Sequence, residues 1–206
     1  LEAGALNTTG AGNSFFGDQA GNHNTTSSGN SFFGNWAGIT NTTGASNCFF
    51  GSGSGEKNET ASFNCFFGEN AGKNNNAEGQ SYFGNNAGYS NTTGFNNSFF
   101  GYESGGFNEN GGYNSFFGWR SGASNTSGGF NSFFGNEAGL SNTTGLQNSF
   151  FGNLAGQYNT TGVKNIFIGG NAGRFNTEGE GNSFLGCLLY TSPRPTRLRR
   201  NSYAVF

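Results

Sequence analysis

Asn13-Ser14-Phe15-Phe16-Gly17 is the stretch that decides the fold, because it returns ten more times along the chain. Its closing glycines are Gly17, Gly34, Gly51, Gly68, Gly84, Gly101, Gly118, Gly135, Gly152, Gly169 and Gly186. Nine of the ten spacings are seventeen residues, and Gly68 to Gly84 is sixteen. A fixed period in this range marks a stacked-repeat architecture, so the 206 residues are one elongated array rather than one or two globular domains. High glycine and low charge would fit disorder, but disordered chains are poor in aromatics and this one carries 25 Phe. The composition therefore points to a packed, ordered solid.

With the closing glycine as position 0, one period reads Gly, x, x, Ala, Gly, x, x, Asn, Thr, Thr, Gly, x, x, Asn, Ser, Phe, Phe. Glycine at +4 and Asn at +7 hold in all ten complete coils, and the Asn before Ser-Phe-Phe is replaced only by Gln80. Helix is excluded, since each glycine costs about 1 kcal/mol against alanine in a helix and every period holds several. Ser-Phe-Phe between Asn and Gly reads as a very short strand bounded by turns. The strict glycines mark corners that need positive φ or close backbone approach, and Asn bonds local backbone at such corners. Stacking would place each Asn over its counterpart every ~4.8 Å, so the amides can form a ladder. The fold expected is an all-β, single-chain parallel β-solenoid of about eleven coils over residues 1–186.

Residues 187–206 (CLLYTSPRPTRLRRNSYAVF) lack glycine, hold both prolines and break the repeat. A basic arm is one reading of this segment. Its opening CLLYTS and closing SYAVF resemble translated sequencing adapter, and the segment is set apart as a non-native tail. Without it the repeats carry five Lys/Arg against eleven Asp/Glu, a net charge of −6, which leaves no basic footprint for nucleic acid. The missing initial Met suggests a fragment of a longer array. Neither a signal peptide nor an apolar run of about 18 residues is present, so no membrane span is expected in it.

Side chains alternate across a strand, so the two Phe of a pair face opposite ways. The column Phe16, Phe33, Phe50, Phe67, Phe83, Phe100, Phe117, Phe134, Phe151, Ile168 and Leu185 tolerates Ile and Leu, and on that ground is expected to fill the interior. The column Phe15, Phe32, Phe49, Phe66, Tyr82, Phe99, Phe116, Phe133, Phe150, Phe167 and Phe184 is then expected to face outward as an oligomer interface, since an exposed aromatic stripe marks an association surface. Burial of both columns in a broad coil is the alternative. In the +2 column Glu103, Arg120 and Glu137 alternate in sign on consecutive coils, and Glu56 and Lys73 are neighbours at +5.

Catalytic chemistry finds no support in the pattern, and no enzyme, cofactor or metal is expected. His23 has no partner column, and the carboxylates are not paired at any recurring position, as acid–base hydrolysis of a glycoside would need. Cys48 and Cys65 replace the Ser before Phe-Phe on adjacent coils and are expected to be free thiols. Stacked Thr of the Asn-Thr-Thr blocks suggest an ice- or surface-binding monomer as an alternative function. Adjacent Thr point oppositely, however, and Glu59, Asn76 and Glu109 interrupt the rows. Trp36 and Trp119 are the candidates for sugar or protein contact.

The run Asn-Ser-Phe-Phe-Gly-Asn-x-Ala-Gly-x-x-Asn-Thr-Thr-Gly resembles the head repeats of trimeric autotransporter adhesins. It is closer to the Asn-Thr-Phe-Ile-Gly-type repeats of phage tail fibres and bacterial surface proteins, the nearest local match being Asn165-Ile166-Phe167-Ile168-Gly169. The resemblance covers residues 1–186; it departs from the adhesins in a longer period and in Phe where they carry Ala. It implies a left-handed roll, a homotrimer, a place on a cell surface or virion, and adhesion to a host glycan or protein. A glycan-cleaving tailspike is the third function it brings to mind.

Overall fold

The computed structural model describes residues 2–186, and the tail set apart above lies outside them. Ser-Phe-Phe and its variants form β1 (Ser14–Phe16), β2 (Ser31–Phe33), β3 (Cys48–Phe50), β4 (Cys65–Phe67), β5 (Ser81–Phe83) and β6 (Ser98–Phe100). The series continues as β7 (Ser115–Phe117), β8 (Ser132–Phe134), β9 (Ser149–Phe151), β10 (Ile166–Ile168) and β11 (Ser183–Leu185). All eleven lie in one parallel sheet in sequence order. Every strand pairs its neighbour at the same repeat position, as in Phe116↔Phe133, and the sixteen-residue coil keeps that register with Phe66↔Tyr82. The chain is a β-solenoid.

Hydrogen bonding between coils continues beyond the strands. Gly122 donates to the Ala138 carbonyl at 2.9 Å and Ser124 to Leu140 at 3.0 Å, each one coil on. Short turns close within the coil, such as Asn125 N–H to Gly122 O at 3.0 Å. Two glycine positions cannot be replaced. At position 0 (Gly118, φ +141°) a Cβ would run into the next coil's Gly135 carbonyl. At +4 (Gly122, φ +57°) it would lie 2.5 Å from the Phe116 ring.

That second contact shows which Phe column is the core, and the sequence-based assignment is reversed. Phe32, Phe49, Phe66, Tyr82, Phe99, Phe116, Phe133, Phe150 and Phe167 are fully buried, with Phe15 and Phe184 packed against them. Their rings stack coil upon coil, with centroids 4.8 Å apart between Phe116 and Phe133, between the strict +4 glycines and the buried small residues at +3. Where +3 is Ser, its hydroxyl finds a strand carbonyl, as Ser121 Oγ donates to Phe133 O at 3.1 Å. The Phe16 column faces outward instead, half-buried along the middle of the rod and exposed at Phe16, Phe151, Ile168 and Leu185. Tolerance for Ile and Leu marks the solvent side, because a continuous ring stack confined by glycine accepts only a flat ring.

The other half of the interior is amide. Asn7 through Asn176 at +7 form an unbroken ladder in which each Nδ2 donates to the Oδ1 of the preceding coil; Asn125 to Asn108, Asn142 to Asn125 and Asn159 to Asn142 span 2.6–2.9 Å. Each also donates to its own +10 carbonyl, as Asn125 does to Gly128 O at 2.9 Å. The +13 column runs the opposite logic. Its side-chain oxygens accept the backbone N–H of the next coil's +13 residue, and its Nδ2 reaches the next coil's +10 carbonyl, as in Asn131 N–H to Asn114 Oδ1 at 3.0 Å and Asn114 Nδ2 to Gly128 O at 2.8 Å. In the sixteen-residue coil the ring and the amide change together, and Tyr82 Oη donates to Gln80 Oε1 at 2.9 Å. Burial pushes the Tyr82 phenol well above its ordinary range, so it remains a donor.

Left-handed backbone recurs at +2 and +12, where non-glycine residues also occupy it: sixteen of them, with φ from 51° to 62°. Gln147→Gly should therefore raise stability by about 0.5–1 kcal/mol, whereas Gly122→Ala should lower it by about 2–4 kcal/mol through ring collision and strain; urea midpoints would show both. Asn142→Asp keeps the shape but loses the donors to Asn125 Oδ1 and Gly145 O. The buried carboxyl would titrate above its unfolded value, so the penalty is smallest below that value and grows as pH rises through the folded one. The variant is expected to trail the wild type by about 3–5 kcal/mol at pH 7 and by much less at pH 3, in parallel urea titrations at the two pH values.

Candidate functional site

Three outer surfaces carry side chains that could act. The first is the outward face of the sheet. Strand alternation puts the Ser/Cys column and the Phe16 column on this face together, and neither contains a charge in any of the eleven strands. The outer rings stack as regularly as the inner ones, with centroids 4.6 Å apart for Phe83–Phe100 and Phe100–Phe117. The result is a two-column, uncharged stripe running the length of the rod.

Cys48 and Cys65 sit in that stripe, in register and free. Burial, and then the neighbouring Cys48, push the Cys65 thiol up to about 11; burial also raises Cys48. Both are therefore protonated near neutral pH. Among the described residues no three His, Cys, Asp or Glu come together as a metal site, and His23 is exposed.

The second surface holds the charges. Arg120 Nε lies 3.2 Å from Glu103 and its Nη1 4.0 Å from Glu137, and Lys73 Nζ lies 3.1 Å from Glu56, so the stacked alternation of sign is present. The line extends further, for Gln157 donates to Glu137 and receives Arg174 Nε at 2.8 Å. Half-open pairs of this kind stabilise by about 0–1 kcal/mol each. Trp119, 44% exposed, stacks on Tyr102 at 6.5 Å and lies under the Arg120 guanidinium at 5.3 Å. Trp36, 47% exposed, is five coils away in the left-handed +2 corner. The two tryptophans thus lie roughly 24 Å apart along the axis and form no common site.

The third surface surrounds the sixteen-residue coil. Loss of one residue from its Thr-Thr-Gly corner opens a cleft of about 350 Å³ lined by Asn76, Ala77, Glu78, Thr93, Phe95 and Asn96. Phe95 meets Tyr113 edge-on at 5.0 Å, and Tyr113 stacks on Phe130 at 4.9 Å. The broken spacing was visible in the sequence. The cleft was not, because it depends on which corner absorbs the missing residue. Elsewhere the +8 Thr hydroxyls are tied into the stack, as Thr126 Oγ1 donates to Thr143 O at 3.1 Å, so they offer no free donor row.

Alkylation of Cys48 and Cys65 is expected to be slow at pH 7.5 and to quicken about tenfold per pH unit, levelling for Cys65 only near its titration at about 11, as iodoacetamide labelling read by mass spectrometry would show. No protein-family model, curated protein or solved structure matches the chain.

Proposed function

We propose that the chain is a non-catalytic structural and adhesive module, the shaft or head of a fibrous protein displayed on a cell surface or virion. Its mechanism is passive: a rigid rod, satisfied internally by ring and amide stacks, presents ligand-contacting side chains at its variable corners. The observation that carries this reading is the uncharged Ser/Phe stripe, which runs unbroken through β1 to β11. An apolar face of that length is unusual in a monomer, and depletion of charge is the mark of an interface core. Its occupant in this reading is two further copies of the same chain. Identical rungs at one spacing fit another copy's rungs in parallel register, and nine outward Phe rings with Ile168 and Leu185 offer roughly 500–600 Å² before the serines are added, near one partner's share of a standard interface. The resemblance to trimeric adhesin heads and tail fibres agrees. Ice binding as a monomer draws less support, because the +8 hydroxyls are already engaged between coils.

Sedimentation of residues 1–186 over a concentration series tests the assembly. A trimer is expected, and Phe117→Glu at the middle of the stripe should shift it to monomer while leaving the far-ultraviolet spectrum unchanged. A wild-type monomer at all concentrations would overturn the fibre reading.

A further inference from the structure

Within the repeats, the sixteen-residue coil is the one interruption of the period. Tyr113 and Phe130 hold left-handed backbone at φ 59° and 58°, as non-glycine residues do at this corner along the rod, Phe63 and Gln147 among them. What is local to this place is that their rings, 46% and 59% exposed, continue the row begun by Phe95. Beside them the cleft gathers polar groups that the fold leaves unused. Asn76 Oδ1 accepts the Glu59 and Thr60 N–H groups at 3.1 Å, while its Nδ2 makes no bond among the described residues. The Thr93 hydroxyl, the Glu78 carboxylate and the Asn96 amide are likewise uncommitted, and Phe95 stands at the rim, 46% exposed. A concave, part-polar surface continued by a row of exposed aromatic rings is the pattern of a ligand site.

We propose that this cleft, continued by the Phe95–Tyr113–Phe130 row, binds a neutral carbohydrate, one ring in the cleft and the next along the aromatic row. A sugar ring offers what the lining matches: hydroxyls that donate to Glu78 and accept from Asn76, Asn96 and Thr93, and a C–H face for Phe95. The 350 Å³ volume is at the small end of ligand pockets. Glu78 and the repeats' net charge of −6 disfavour an anionic sugar or nucleic acid. The proposal rests on the adhesive reading and supplies its ligand class.

Saturation-transfer NMR against the methyl glycosides and β1,4-linked disaccharides of glucose, galactose and N-acetylglucosamine tests it. At least one is expected to bind, with affinity falling about tenfold in Phe95→Ala. A one-residue Thr insertion between Asn76 and Ala77, which restores the seventeen-residue coil and fills the cleft, should abolish binding; Trp36→Ala should not change it. Unchanged thermal midpoints would show that each variant folds. No binding of any of these sugars, or binding indifferent to both the Phe95 change and the insertion, would overturn the proposal. Sedimentation of the same samples separates the two readings: a sugar-binding monomer removes the fibre and keeps the site, and a trimer that binds no sugar removes the site alone.

Discussion

Everything in this rod depends on a side-chain amide standing directly over another side-chain amide. A coil of seventeen residues with a three-residue strand cannot satisfy its backbone by sheet pairing alone. The +7 and +13 asparagines resolve this together. The carbonyl at +10 takes two donors, one from its own coil and one from the coil before, as Gly128 O does from Asn125 and Asn114. Buried polar groups are costly when left unpaired and specifying when fully paired. Here the pairing works only at one register, so the amides set the stacking as firmly as the rings do.

The aromatic half has its own constraint. Rings stacked at 4.7–4.9 Å fill a slot whose far wall is the +4 glycine, and the slot has room for a plane and little else. Strict glycine and strict ring are therefore one requirement expressed at two positions. The paired change at Gln80 and Tyr82 shows how narrow the allowance is: a hydroxyl enters this core only where a longer amide meets it.

Much of this was legible in the residues. The period gave the solenoid, the invariant asparagines gave the ladder, and Glu103, Arg120 and Glu137 gave a stacking register that their contacts bear out. The inside and outside of the strand were reversed, for a physical reason. Ile168 and Leu185 look like core substitutions under the usual rule that aliphatics exchange in a liquid-like interior, but a one-ring-wide slot does not follow that rule. The decisive sign was the partnership of Phe116 with Gly122, six residues on, which no local pattern of polarity reveals. Trp36 and Trp119 were singled out by residue type, and the fold puts them on separate coils and in different columns. The left-handed corners at +2 and +12 leave no mark in composition, because residues as different as Trp36, Arg120, Tyr113 and Lys164 occupy them.

The direction of the hydrogen bonds has a mechanical consequence. They run along the rod's axis, from each coil to the next, while only one covalent strand links neighbouring coils. A pull on the two ends therefore acts on a stack of thin hydrogen-bonded seams arranged in series. When one seam parts, a rise of ~4.8 Å is exchanged for a seventeen-residue tether, adding roughly 50 Å of slack. The remaining coils stay folded on either side. A filament made this way would yield in discrete, coil-sized steps instead of snapping, and could rewind when the load is removed.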